Sequence, residues 1–330
     1  MNKLEALRAE YAQITGQPFS TFFCPILFRD EPAELCEAHV VNKAFPGSDR
    51  STVVQRADVD SFFGSKFEAD FVLLAERGKY DPVDVLTDPN LRRKLRPRVT
   101  VDGKTVLHYT PHGDVPAIHS RLAVERPDGT PVPLVLKMEP SDTLSALDGK
   151  WEILIEKDVR LPALVSLLKA AHLTLFALLG YSYGLSAAGR FVGWDILGTF
   201  VARNLTLDRA ALTQNAYEHF AEFANLVRPM VIPPDYIQGT ISDNQLFLCT
   251  SSQGPWAFMV FVRAGKDIHA VLVPVMESAE GAARFARFLS APSARFEVRR
   301  AKFSDDHWDV AKDARMIDWP AAYFDALPGR

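Results

Sequence analysis

His39 and Asp60 are the residues whose types and spacing suit chemistry on a phosphate ester. His39 closes the step Cys36-Glu-Ala-His39-Val-Val, and Asp60 follows about twenty residues later in Asp58-Val-Asp60-Ser-Phe-Phe-Gly64. An imidazole titrates near neutrality and can take a proton from water. A carboxylate at the start of a helix can hold a hard divalent cation against a phosphate oxygen. Upstream, Cys24-Pro-Ile-Leu27 and Cys36 add two thiols to the same stretch. The bland alternative assigns His39 to a hydrogen-bonded strand position and Asp60 to a helix cap.

Local elements must bring these groups together. Leu4, Leu7, Tyr11 and Ile14 recur at helical spacing, and Gly16-Gln-Pro18 ends that helix. Thr21 to Leu27 and Leu35 to Val41 are apolar runs separated by Arg29-Asp-Glu-Pro32, which predicts a β-hairpin turning at the acidic residues. A loop through Phe45 to Arg50 leads to Thr52-Val-Val54, and Asp58 or Asp60 begins a helix running toward Phe71. The expected result is a compact ββα unit.

The chain has 330 residues, 48% hydrophobic and 24% charged, enough for one to three globular domains. A net charge of -4 argues against a surface coated in positive charge, so any nucleic-acid contact must come from a local patch. Arg92 and Arg93 lie in one such run, Leu91 to Arg98, and Lys43, Arg50 and Arg56 lie inside the motif region. The run has a bland reading as a solvated helix end. Three cysteines make no disulfide framework and the N-terminus lacks a secretory apolar core, so a reducing cytoplasm is expected. Ala163 to Tyr181 has about the length of a bilayer span, but Lys169 and His172 near its middle mark it as a buried core helix.

Further along, strands are expected near Val99 to Tyr109 and Pro133 to Met138, with helices over Arg160 to Leu179 and Thr206 to Val227. Gln245 to Cys249, Trp256 to Arg263 and Ile268 to Val275 read as strands, the last two joined at Arg263-Ala-Gly-Lys-Asp267. A helix at Ser278 to Leu289 and a strand at Arg295 to Lys302 follow. The fold class expected is α+β: an N-terminal ββα unit over 1–97, then a mixed helical and antiparallel-sheet region over 98–330. Pro97 is the expected linker, with a weaker boundary near Pro229.

The stretch from Cys24 to Phe71 resembles the HNH endonucleases, whose ββα-metal unit carries a histidine base on a hairpin and a metal ligand on the helix. Cys24-Pro-Ile is similar to the family's opening Cys-Pro-Ile-Cys, and Ala38-His39-Val-Val resembles its Ala-His-Ile-Val step. Phe63-Gly64-Ser-Lys-Phe-Glu68 resembles the Phe-Gly-x-x-x-Glu that follows its last motif residue. The resemblance covers about a sixth of the chain and implies a metal-dependent nuclease. His39 would be the general base, Asp60 would stand at the final Asn or His, and Ser51 would fall where the family's bracing Asn belongs. Glu37 would assist the metal, since the acidic ligand that often precedes the histidine is Ala38 here. Mg²⁺ or another divalent cation would be the cofactor and nucleic acid, DNA first, the partner, with a homodimer where two strands are cut.

The resemblance also implies that Cys24 and Cys36 are remnants of a zinc knuckle, with Leu27 where another sulfur would sit. Two thiolates do not complete a tetrahedral zinc site, so apolar contacts are expected instead. Ala38 and Ser51 leave a second reading open: a degenerate HNH-like module that binds nucleic acid or regulates. A third is an interaction scaffold in the C-terminal half. Elsewhere His108, His112 and His119 fit no tight ligand spacing, and Gly180 to Gly189 lacks the Gly-Lys-Ser/Thr of a phosphate loop.

Overall fold

A computed structural model of the chain describes residues 3–45, 51–76, 90, 97–101, 104–108, 110–112, 115–117, 123–125, 131–133, 151–155, 160–204, 229–231, 246–251, 254–264, 267–275, 283, 294–304 and 307–319. Helix α1, Lys3–Thr15, stops where Gly16 takes a φ of 81°, a left-handed conformation that suits glycine. Its Tyr11 ring meets Phe19, Phe23 and Tyr181 at centroid distances of 5.5, 5.0 and 5.0 Å. Strand β1, Phe23–Cys24, pairs antiparallel with β2, Arg29–Asp30. Strand β3, Leu35–His39, pairs antiparallel with β4, Thr52–Arg56, from Leu35 opposite Arg56 to His39 opposite Thr52.

This pairing corrects the expected hairpin between 21–27 and 35–41. The reason lies in Asp30, whose carboxylate accepts from the backbone N–H groups of Ser20, Thr21 and Phe22 and from the Ser20 hydroxyl. Those bonds fold the acidic segment back beside the residues before β1. Phe28, at a φ of 52° and with its N–H on the Cys24 carbonyl, makes the turn. The longer hairpin is then made by β3 and β4.

The chain enters α2, Ala57–Phe63, directly from β4, passes through a π-helical turn at Gly64–Glu68 and continues as α3, Ala69–Glu76. At the end of the π turn the Ala69 N–H reaches the Gly64 carbonyl five residues back. Next come β5, Pro97–Val101, and β6, Lys104–His108, then the short pairs β7, Thr110–His112, with β8, Val115–Ala117, and β9, Ala123–Glu125, with β10, Pro131–Pro133. Strand β11, Trp151–Ile155, returns to complete a three-stranded antiparallel sheet in the order β11-β5-β6.

Helix α4, Arg160–Gly184, follows, and residues 163 to 176 are buried throughout. By length and composition Pro162–Gly184 could cross a bilayer, but 83% of its apolar window is buried inside the fold. The helix bends at Gly180, whose φ of 55° and ψ of -139° are open to glycine and costly for other residues. Helix α5, Ala187–Arg190, is capped by the Ser186 hydroxyl accepting from Gly189 N–H at 3.1 Å. A second π-helical stretch, Phe191–Gly198, runs into α6, Thr199–Asn204.

Strands β12, Pro229–Val231, β13, Leu246–Ser251, β14, Gly254–Ala264, β15, Asp267–Pro274, β16, Ala294–Ser304, and β17, His307–Trp319, form a six-stranded antiparallel sheet in the order β12-β15-β14-β13-β16-β17. Its central strand β14 buries Trp256, Ala257, Met259, Val260, Phe261 and Val262 on both faces. Helix α4 lies against α1, β4, the first π turn, β14 and β15. The architecture is mixed helix and antiparallel sheet, α+β.

The chain divides into two compact units, one formed by 1–72 with 160–328 and the other by 73–159. The expected linker at Pro97 instead opens β5, and Pro229, the weaker expected boundary, opens β12 of the first unit. The physical reason is core supply: a segment of some seventy residues is marginal alone, and α4 packs against its α1, β4 and first π turn. The expected helices at 206–227 and 278–289 and the segment 134–138 lie outside the described residues, apart from Ala283, which is helical. Strand β17 was not anticipated.

Candidate functional site

Lys169 organises the polar centre of the first unit. Its side chain is 1% exposed, and its ammonium lies 2.6 Å from Glu68 Oε1 and 3.1 Å from Asp60 Oδ1. The Phe63 ring centroid is 6.0 Å from the same nitrogen. A buried ammonium without partners would give up its proton. Here burial pulls the Lys169 pKa down, but the Glu68 and Asp60 charges outweigh it and hold it above the ordinary lysine value. The other Glu68 oxygen accepts from Asn42 Nδ2 at 2.9 Å, and Asn42 Oδ1 accepts from Ala44 N–H at 2.9 Å.

Local geometry explains how two carboxylates on one helical run reach one nitrogen. Asp60 and Glu68 are eight residues apart, about 2.2 turns of α-helix, which would leave them roughly a fifth of a turn out of line. The π turn at Gly64–Glu68 widens the coil between them and narrows that offset. Glu68 is buried, whereas the Asp60 side chain is 34% exposed.

The pleat of the β3–β4 hairpin divides the expected set of residues. Cys36 and Ala38 share one face, and Glu37 and His39 share the other. Ala38 is 1% exposed, so the face it shares with Cys36 is the inner one, and burial raises the half-buried Cys36 thiol. Gln55, opposite Cys36, is fully buried, and its amide has no hydrogen-bond partner among the described residues. On the outer face His39 is half-buried, Glu37 is exposed, and the Thr52 hydroxyl donates to Glu37 at 3.4 Å. Lys3 Nζ donates to Thr52 Oγ1 at 2.9 Å and lies 3.5 Å from Glu37 Oε1. His39 thus ends β3 on the outer face, and Asp60, in the first turn of α2, is paired with Lys169.

Other expected residues take separate positions. Arg56, expected to clamp a phosphate, is buried and donates to Asp58 at 2.7 Å and to Glu31 at 3.3 Å. The Arg56 guanidinium holds the Asp58 carboxyl below its ordinary pKa. Lys43 is exposed, and the Ser51 carbonyl accepts from Val40 N–H at 3.1 Å. Cys24 is fully buried, its sulfur accepts from Leu27 N–H at 3.4 Å, and burial pushes its thiol up to about 11. Arg50, Arg92 and Arg93 lie outside the described residues. So does His119, while His108 ends β6 and His112 ends β7.

A second buried group sits one turn along α4. His172 Nδ1 and the Tyr183 hydroxyl are 2.9 Å apart, and burial lowers the His172 pKa to about 4. Gly193 permits this fit, since a Cβ there would lie 2.2 Å from the Pro25 carbonyl oxygen and 2.9 Å from the His172 ring. This group fastens the second π-helical stretch and the β1–β2 turn to α4.

The sequence reading missed Lys169, Glu68 and Asn42 as a cluster. Its available signal was the lone lysine in an apolar helix, which requires a buried carboxylate partner. Among the described residues no group of three or more His, Cys, Asp or Glu side chains is arranged to hold a metal ion. No family model, no curated protein and no solved structure matches this chain.

Proposed function

We propose that residues 24–71 form an HNH-like ββα unit that serves as a nucleic-acid-binding or regulatory module, with the Lys169 ammonium taking the place of a catalytic cation. The order β3, β4, α2 supports the resemblance, with His39 ending β3 and Asp60 in the first turn of α2. One observation carries the choice of a binding module: Lys169 Nζ is 3.1 Å from the carboxylate expected to hold a metal. The fit of a divalent ion is poor on three further counts. Ala38 offers no ligand on the inner face, Glu37 lies on the outer face with Lys3 and Thr52, and Glu68 is shared between Lys169 and Asn42. DNA is the proposed partner, bound in the cytoplasm through its phosphates, with the exposed Lys43 as one contact.

A second reading keeps a hydrolase with His39 as base and a divalent cation on Asp60 and Glu37. It is favoured by the solvent-facing group of Glu37, His39 and Thr52. Plasmid DNA offered to the purified protein with Mg²⁺ or Mn²⁺ separates the two. Retained binding without nicking is expected. Nicking that disappears in His39→Ala would establish the hydrolase instead, and neither binding nor nicking would remove both readings.

A further inference from the structure

We infer that Lys3, at the start of α1, is a phosphate-contacting residue on the His39 side of the β3–β4 hairpin. The inference rests on the nucleic-acid reading above and adds a residue that the motif does not contain. A phosphodiester approaching His39 meets the exposed carboxylate of Glu37 on the same strand face, so a cation is needed there to make the approach favourable. Arg56 does not supply it, because its guanidinium is buried against Asp58 and Glu31. Lys169 does not either, since its buried ammonium is paired with Glu68 and Asp60.

Lys3 does meet the requirement. Its ammonium bonds the hydroxyl of Thr52, the residue directly across the hairpin from His39, at 2.9 Å. Its ion pair with Glu37 is 3.5 Å long between side chains that are 55% and 66% exposed. An exposed pair of that kind contributes little stability and exchanges partners readily. Phosphate oxygens can therefore take the ammonium from Glu37 while Thr52 keeps it beside His39. Glu37 would act as the placeholder for the absent phosphate.

Salt dependence of binding to a fluorescein-labelled DNA duplex tests this with the full chain. A lysine that touches one phosphate adds about one to the slope of log K against log salt concentration, whatever the DNA sequence. Lys3→Gln is expected to lower the slope by about one on two unrelated duplexes, and Lys3→Arg to keep it. Glu37→Gln is expected to tighten binding, since the competing carboxylate is gone. If wild type binds and Lys3→Gln weakens binding with its slope unchanged, Lys3 only anchors α1 and the inference is overturned while the nucleic-acid reading stands. Absence of duplex binding by wild type would overturn the reading and this inference together.

Discussion

A single buried lysine pairs with both Asp60 and Glu68. Removing one partner of a buried ion pair strands the other charge and costs about 3–5 kcal/mol. Lys169→Met keeps most of the side-chain volume but leaves Glu68 and Asp60 without their cation, so a loss in that range is expected from urea denaturation. The pH dependence follows from the raised Lys169 pKa. An ammonium whose folded pKa exceeds its unfolded value contributes fully below the unfolded value, and that contribution is lost as pH rises through the folded one. Wild type should therefore lose this part of its stability only above about pH 10.5, and Lys169→Met should show no such alkaline step. Sequence alone showed Lys169 as a charge too costly for lipid, but its partners lie over a hundred residues away, where spacing rules give no guidance.

At the scale of elements, local pattern was informative where burial follows a simple period. The helix over α1, the start of α4 and the strands β13, β14, β15 and β16 were legible because apolar residues recur at 3.6 or at 2 or fill short runs. The hairpin partner of β3 was not, because Asp30 turns the chain through side-chain bonds to Ser20, Thr21 and Phe22 that no periodicity records. The π turn was hidden too, since one extra residue per turn leaves almost no mark in a short apolar helix. Gly180, at the bend inside α4, lies close to Glu10 of α1. A Cβ there would lie 2.0 Å from Glu10 Oε2, while Glu10 Oε1 accepts from Ser182 N–H at 3.0 Å. The flexible Glu10 carboxylate can move aside, but Gly180→Ala strains a left-handed backbone, and a destabilisation of about 1–3 kcal/mol is expected from its thermal midpoint.

For the whole molecule, the decisive feature is that the motif segment and α4 belong to one compact unit although 73–159 separates them in sequence. A reading that takes residues in order places a boundary where Pro and basic residues cluster, as at Pro97, and so assigns the ββα segment a core of its own. The fold instead brings α4 against β4 and the π turn, and with it the ammonium that neutralises Asp60. Asp60 was singled out in the sequence, whereas its pairing with Lys169 was not, because the two are 109 residues apart. The central claim is that the cation at Asp60 is this lysine. Calorimetric titration of the full chain with Mn²⁺ at neutral pH tests it most directly. No saturable site that depends on Asp60 is predicted, with wild type and Asp60→Asn giving the same heats. A stoichiometric Mn²⁺ site in wild type that Asp60→Asn abolishes would contradict it.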